Sequence, residues 1–236
     1  RHRGVQATLS ANRGRSRARD GGSPQSPFGS RDGGHALDLR SPLIDDRWRI
    51  GVLAQDTWAD FGADAGAART RYRSAGIGGW YRHDRLGASA TVSRVSDADD
   101  RGATAWTVAG DWRFSDAWHA GAAIARLDPQ ASLQARRLGI AADSLTLSAA
   151  WTPSDTVGLD ARASRLRYED GNIRDQLGVD ASRRLLSRPH LMVDGLASVH
   201  VGRASQGDRT AYFNPERDAS ATLGLRVDHI TWRRYE

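Results

Sequence analysis

Residues 45–61 read DDRWRIGVLAQDTWADF. Trp48 and Trp58 stand ten residues apart, and Ile50, Val52 and Ala54 alternate with Gly51, Leu53 and Gln55 between them. Side chains two apart on a strand share a face, so both tryptophans and the three apolar residues point the same way. Ten residues at ~3.3 Å each span roughly 33 Å. Tilted by ~40°, that length covers about 25 Å of a membrane normal, the height of the apolar band on a membrane β-barrel. The segment therefore has the dimensions of one membrane crossing, entered from a tight turn at Asp45 and Asp46. Trp48 would sit at the inner interface and Trp58 at the outer. Arg49, Gly51, Leu53 and Gln55 face the other way, and Leu53 is the residue out of character there.

The pattern repeats. Period-2 alternation marks about twelve segments: 4–11, 35–41, 48–61, 69–81, 86–96, 103–114, 118–127, 141–151, 156–168, 175–186, 190–203 and 219–232. Short connections carry turn residues, at residues 42–46, at His83 and Asp84, at Ser115 and Asp116, at TPSD from Thr152 and at SRP from Ser187. They alternate with longer connections at residues 12–34, 97–102, 128–140, 169–172 and 204–218, and the gap after Phe61 is also loop-like. Short turns on one side and long loops on the other are the habit of outer-membrane barrels. The faces agree: Trp106, Val108, Trp112 and Phe114 oppose Ala105, Thr107, Asp111 and Arg113, and Leu145, Leu147 and Trp151 oppose Ser144, Thr146 and Ser148. Trp48, Tyr81, Trp112, Trp118, Trp151 and Trp232 gather beside the short turns and, with Trp58 at the far end, read as interfacial girdle residues.

Composition narrows the class further. The chain has 236 residues, no Cys and a net charge of +6. It offers no disulfide, cysteine metal site or thiol nucleophile. All 34 residues of the Lys and Arg count are Arg, Glu occurs only at Glu169, Glu216 and Glu236, and Gly is spread throughout, which argues against an α-rich fold. No apolar run reaches the ~20 residues of a spanning helix. The arginines are dispersed and form no basic helix, so nucleic acid is not the expected partner. The chain begins with Arg1 and is expected to be an internal fragment, residues 1–236 forming one outer-membrane β-barrel piece.

On the polar face, acid and Arg recur together. Asp38 lies two from Arg40, Asp111 from Arg113, Asp160 from Arg162, and Arg226 from Asp228. Asp180 shares a face with Arg184, Asp194 shares one with Ser198 and His200, and Asp56 would join the same side if its register slipped. Such charges either brace the wall as cross-strand salt bridges or form a hydrated track of weak contacts for a long polar solute. Asp194, Ser198 and His200 are the nearest approach to a catalytic triad. No nucleophile elbow, zinc-protease motif or phosphate loop accompanies them, and the scattered histidines have no metal spacing. The expectation is a non-enzyme without metal or cofactor. Between Arg13 and Asp32 five Arg stand against two Asp. This stretch is a solvated loop or a contact for lipopolysaccharide phosphates.

Residues then carry a resemblance. YFNPERDASATLGLRVDHITWRRYE from Tyr212, RSPLIDDRWRIG from Arg40, FSDAWHAGAAIARLD from Phe114, RRLGIAAD from Arg136 and RYEDGN from Arg167 resemble, in order, segments of the poly-β-1,6-N-acetyl-D-glucosamine export porins. The resemblance implies an antiparallel up-and-down transmembrane β-barrel, with about twelve strands here of a probable sixteen. It implies an upstream periplasmic helical-repeat domain and last strands outside this sequence. It further implies export of partly de-N-acetylated polymer for biofilm matrix, outer-membrane lipid and lipopolysaccharide as surroundings, and a periplasmic deacetylase as partner. Asp38, Asp111, Asp160, Asp180, Asp194 and Asp228, with Arg113, Arg162 and Arg226, are the expected passage-lining residues, the excess Arg lying in loops and rims. A general diffusion porin, an autotransporter-type translocator and a soluble carbohydrate-binding β-sandwich are the alternatives.

Overall fold

The computed structural model describes residues 6–15, 30–61, 69–96, 102–127, 140–207 and 214–229. All regular structure among them is strand: β1 (Gln6–Arg15), β2 (Ser30–Arg40), β3 (Trp48–Phe61), β4 (Arg69–His83), β5 (Leu86–Ser96), β6 (Gly102–Arg113), β7 (Trp118–Arg126), β8 (Ala142–Ser154), β9 (Val157–Tyr168), β10 (Ile173–Arg188), β11 (Leu191–Ala204) and β12 (Arg217–His229). The strands are ordered in the sheet as they are in the chain, an up-and-down meander, and every described pairing is antiparallel. Two compact units are distinguished, residues 1–109 with 125–143, and residues 110–124 with 144–236.

Each of the twelve expected segments coincides with a strand over its described residues, and the quoted stretch gives β3 with its expected bounds. The long connection expected over residues 12–34 is shorter, because β1 continues to Arg15 and β2 begins at Ser30. Glycine and arginine weaken the alternation there, while the ladder to β1 holds β2 extended through Gly33 and Gly34. The β4–β5 turn is Asp84 and Arg85, one residue beyond the expected pair, since His83 still pairs with Leu86. Asp45, Asp46 and Asp84 have φ of 49°, 57° and 46°. That left-handed conformation is one Asp tolerates better than most residues, which is why Asp marks these turns.

The side-chain distribution is inverted relative to a soluble domain. Among the described residues the buried apolar side chains are few and mostly small: Val95, Ala105, Ala125, Ala142, Leu166, Tyr168 and Ala204. The large ones lie outside, with Ile50 and Ile77 61% exposed and Leu223 85% exposed. In the first unit, the register sets Leu39, Val52, Ile77 and Val92 side by side on one face. In the second, Leu177, Val179, Val199 and Val201 do the same. A soluble monomer rarely exposes an apolar patch so large. A strand wall whose apolar face meets lipid requires it.

Aromatic pairs close this face at the short-turn end. Trp48 and Tyr81 pack at 4.6 Å between centroids, Trp112 and Phe114 stack at 5.5 Å, and Trp118 and Trp151 at 5.8 Å. Trp58 faces the same side as Trp48 at the opposite end of β3. Trp232 lies outside the described residues.

Candidate functional site

The polar face is assembled by register. In the first unit Arg40, Gly51, Gly78 and Thr91 form one cross-strand row. Asp38, Leu53, Gly76 and Ser93 form the next, and Ala36, Gln55, Ser74 and Val95 the third. One cavity of about 480 Å³ is lined from six successive strands, β2 to β7, including Asp38, Gln55, Ser74, Ser93 and Thr107. Six neighbours reach one cavity only if the sheet curls toward it, so the polar face is the concave side of this unit. Five hydroxyl side chains (Tyr72, Ser74, Thr91, Ser93 and Thr107) and the Gln55 amide line it alongside apolar Leu37, Leu53, Trp106 and Leu127. Leu53, unexplained by alternation, borders this cavity beside Gly76.

Asp38 is engaged rather than free. Arg40 donates to both its oxygens, Nε at 2.9 Å and Nη2 at 2.6 Å, and stacks its guanidinium 4.1 Å over the Trp80 ring. Trp80 is a polar-face aromatic that the girdle reading passed over. The signal was available, because adjacent Trp80 and Tyr81 must point to opposite faces. Tyr72 reaches the polar side for the same reason and lines the cavity.

Charge is denser in the second unit. Asp194 has a side chain only 5% exposed; Arg184 donates to one oxygen at 2.8 Å and Arg226 to the other at 2.6 Å. Arg226 also lies 3.5 Å from Asp228. Asp111 lies 3.4 Å from His119 across the β6–β7 hairpin. Asp160 and Asp180 are exposed and directly opposite each other on β9 and β10. Asp180 comes within 3.7 Å of His200, and Asp160 has no ion-pair partner among the described residues. Arg162 stands in the adjacent row, opposite Gly178. Arg113 shares its face with Asp111. Two opposed carboxylates repel, so a cation placed between them would relieve this row.

The triad-like set does not assemble. His200 meets Asp180, Ser198 is opposite Asp180, and Asp194 is held by two arginines six residues away along β11, roughly 20 Å at strand rise. Asp56 does not slip either. The β2–β3 and β3–β4 registers run unbroken, so it lies on the Trp58 face, where Arg71 forks onto its carboxylate and Arg73 lies 3.9 Å away. The register does shift in β10 between Arg184 and Leu186, where Leu185 packs over Gly195. In each unit the polar face is mixed rather than acidic: Arg40, Arg49 and Arg82 share it with Asp38 in the first, and Arg113, Arg162, Arg174, Arg184 and Arg226 share it with the aspartates in the second.

At the long-connection end, the YEDGN stretch is a hairpin turn pinned to β11. Asn172 is fully buried, and its side-chain oxygen accepts from Ser205 Oγ at 3.3 Å and Gln206 N at 3.2 Å. Gly171, at φ 84°, supplies the conformation the turn needs.

With a strand-only membrane wall in view, the comparisons are specific. Residues 11–236 match the family model described as the PgaA membrane beta barrel domain. The chain belongs to that family. Its place is accordingly the outer membrane, where strand-built barrels span. Two curated relatives, the "Poly-beta-1,6-N-acetyl-D-glucosamine export protein" of Escherichia coli K12 and of Escherichia coli O157:H7, are each 26% identical over 212 residues. The match covers 88% of this chain and 26% of theirs, so the barrel chain spans about a quarter of their length. A solved structure described as "Bacterial polysaccharide outer membrane secretin" superposes with a TM-score of 0.78 at 22% identity, covering all of this chain and 75% of that one. That likeness shows the fold.

Proposed function

We propose that this chain is the membrane-crossing wall of an outer-membrane porin exporting poly-β-1,6-N-acetyl-D-glucosamine. The observation that carries the reading is the concave, hydroxyl-rich face that β2 to β7 turn toward one cavity. Export of a long polar chain asks for many weak contacts and no tight pocket, because each sugar must leave as readily as it enters. Gln55, Ser74, Thr91, Ser93 and Thr107 offer hydrogen bonds to sugar hydroxyls and acetamido groups without fixed charge. Asp38 and Asp194, closed by arginines, brace the wall. Asp160 and Asp180 offer carboxylates to the ammonium groups of deacetylated residues, with Asp111 and Asp228 as further contacts. Arg113, Arg162 and Arg226 keep the path from trapping the polymer by excess negative charge. No bond is made or broken in the wall; transport is guidance. The exported polysaccharide is the substrate, and a periplasmic deacetylase of the same system is the proposed supplier of its free amines.

The test compares the full-length exporter with the variant carrying Asp160→Asn and Asp180→Asn. Cells supplied with partly deacetylated polymer are expected to show several-fold less surface polymer in the variant, with unchanged barrel level and heat-modifiable migration. Cells lacking the deacetylase activity are expected to show no difference between the two. Equal export of the deacetylated polymer by both proteins would refute the role of this pair. Unaltered surface polymer on deletion of the whole barrel would refute export itself.

A further inference from the structure

On the apolar face of the second unit, the lipid-facing band ends in a row of charge. Ala163, Leu177, Val201 and Ala219 lie side by side across β9 to β12. One pair nearer the long connections, roughly 7 Å along the strands, the register places Arg165 opposite Asp175, Asp175 opposite Arg203, and Arg203 opposite Arg217. Arg165 occupies the single carboxylate, Nε to Oδ1 at 2.6 Å and Nη2 to Oδ2 at 2.9 Å. Arg203 and Arg217 are exposed and make no ion pair among the described residues. Like charges directly opposed across a ladder are destabilising. Three guanidiniums against one carboxylate leave the row with an excess of two positive charges.

A groove of about 600 Å³ joins the two rows, with Asp175, Arg203 and Arg217 in its charged part and Leu177, Val201 and Ala219 in its apolar part; Asp218 also borders it, its carboxylate paired with Arg174 at 2.7 Å. A site that is cationic toward the membrane surface and apolar toward its middle has the polarity of a phospholipid or phosphoglycolipid. The long connections of outer-membrane barrels are on the extracellular side, so the row lies at the level of the outer leaflet. Arg forks match phosphate oxygens in pairs. We propose that Arg203 and Arg217 hold a phosphate of an outer-leaflet phosphoglycolipid, of the lipid A type, whose acyl chain lies along Leu177, Val201 and Ala219. The site is on the wall, not in the Arg-rich 13–32 stretch. It does not depend on which polymer the opposite face carries.

The experiment reconstitutes the full-length exporter in phosphatidylcholine nanodiscs containing either bis-phosphorylated lipid A or its dephosphorylated form. Lipid retained on the protein is read by native mass spectrometry after detergent release, and the thermal midpoint is followed in parallel. Wild-type protein is expected to retain the phosphorylated form about tenfold better, the scale of a lost charge-assisted bond. Arg203→Ser with Arg217→Ser should abolish that preference, while Arg203→Lys with Arg217→Lys should keep part of it. Equal retention of the two lipids by wild-type protein overturns the proposal without recourse to any variant. So does undiminished preference in the folded double Ser variant, or the same thermal shift from inorganic phosphate without lipid A.

Discussion

Asn172→Ala tests how the β9–β10 hairpin is tied to its neighbour. Its side chain is the largest that is completely buried among the described residues. Its carbonyl oxygen accepts from Ser205 Oγ and Gln206 N, more than thirty residues along the chain. Removing it deletes these hydrogen bonds at about 0.5–1.5 kcal/mol each, and an amide left without its acceptor adds about 1–3 kcal/mol. Ser205 and Gln206 are both exposed, but a hydroxyl rotates freely to water while the Gln206 backbone N–H is fixed in direction by the chain, so the Ser205 share is small. The sum is about 2–3 kcal/mol, mostly through the Gln206 amide. This energy is local: β9 and β10 pair over eleven positions irrespective of the turn. Hydrogen exchange on the full-length protein in lipid is therefore the appropriate assay. At 1.4 kcal/mol per tenfold, the Gln206 amide should exchange roughly thirty- to a hundredfold faster in Asn172→Ala. Ser205→Ala, which leaves the Gln206 bond in place, should change it less than about fivefold. If the Gln206 amide exchanges at the same rate in wild type and Asn172→Ala, the tie is not through this side chain and the reasoning fails.

Two further substitutions probe the faces. Ile77→Arg, on the apolar face beside Val52 and Val92, should cost about 2–4 kcal/mol of folding into vesicles by urea titration. Thr91→Arg, one residue along β5 from Ile77's partner Val92 and on the polar face, should change it by less than about 1 kcal/mol, and similar losses at both positions would contradict the assignment of faces. Gly76→Ala would drive a Cβ into the Val92 carbonyl oxygen and the Ser93 side chain. Overpacking of this kind costs about 1–3 kcal/mol, so the same titration should show a clear loss.

What the sequence determined by itself is what period 2 determines. A strand side chain's face depends only on its position parity, and that information is local. Ile50, Val52, Trp48 and Trp58 on one side, Gly51 and Gln55 on the other, follow from spacing alone, as does the count of strands from alternating connections. Partners within one strand were legible, as Asp38 with Arg40 and Arg226 with Asp228 show, but cross-strand partners were not, because they depend on which residue of the next strand comes opposite. Asp111 has Arg113 two residues away in sequence, yet His119 from the next strand is its 3.4 Å neighbour. Asp180 shares a face with Arg184, but Arg184 is drawn to Asp194, which leaves Asp180 opposite Asp160. The burial of Asn172 and the meeting of Arg203 with Arg217 likewise join residues separated by long stretches of chain. Alternation chooses a face for each residue; only the register of the folded sheet decides which charges on that face satisfy one another and which stay open to a ligand.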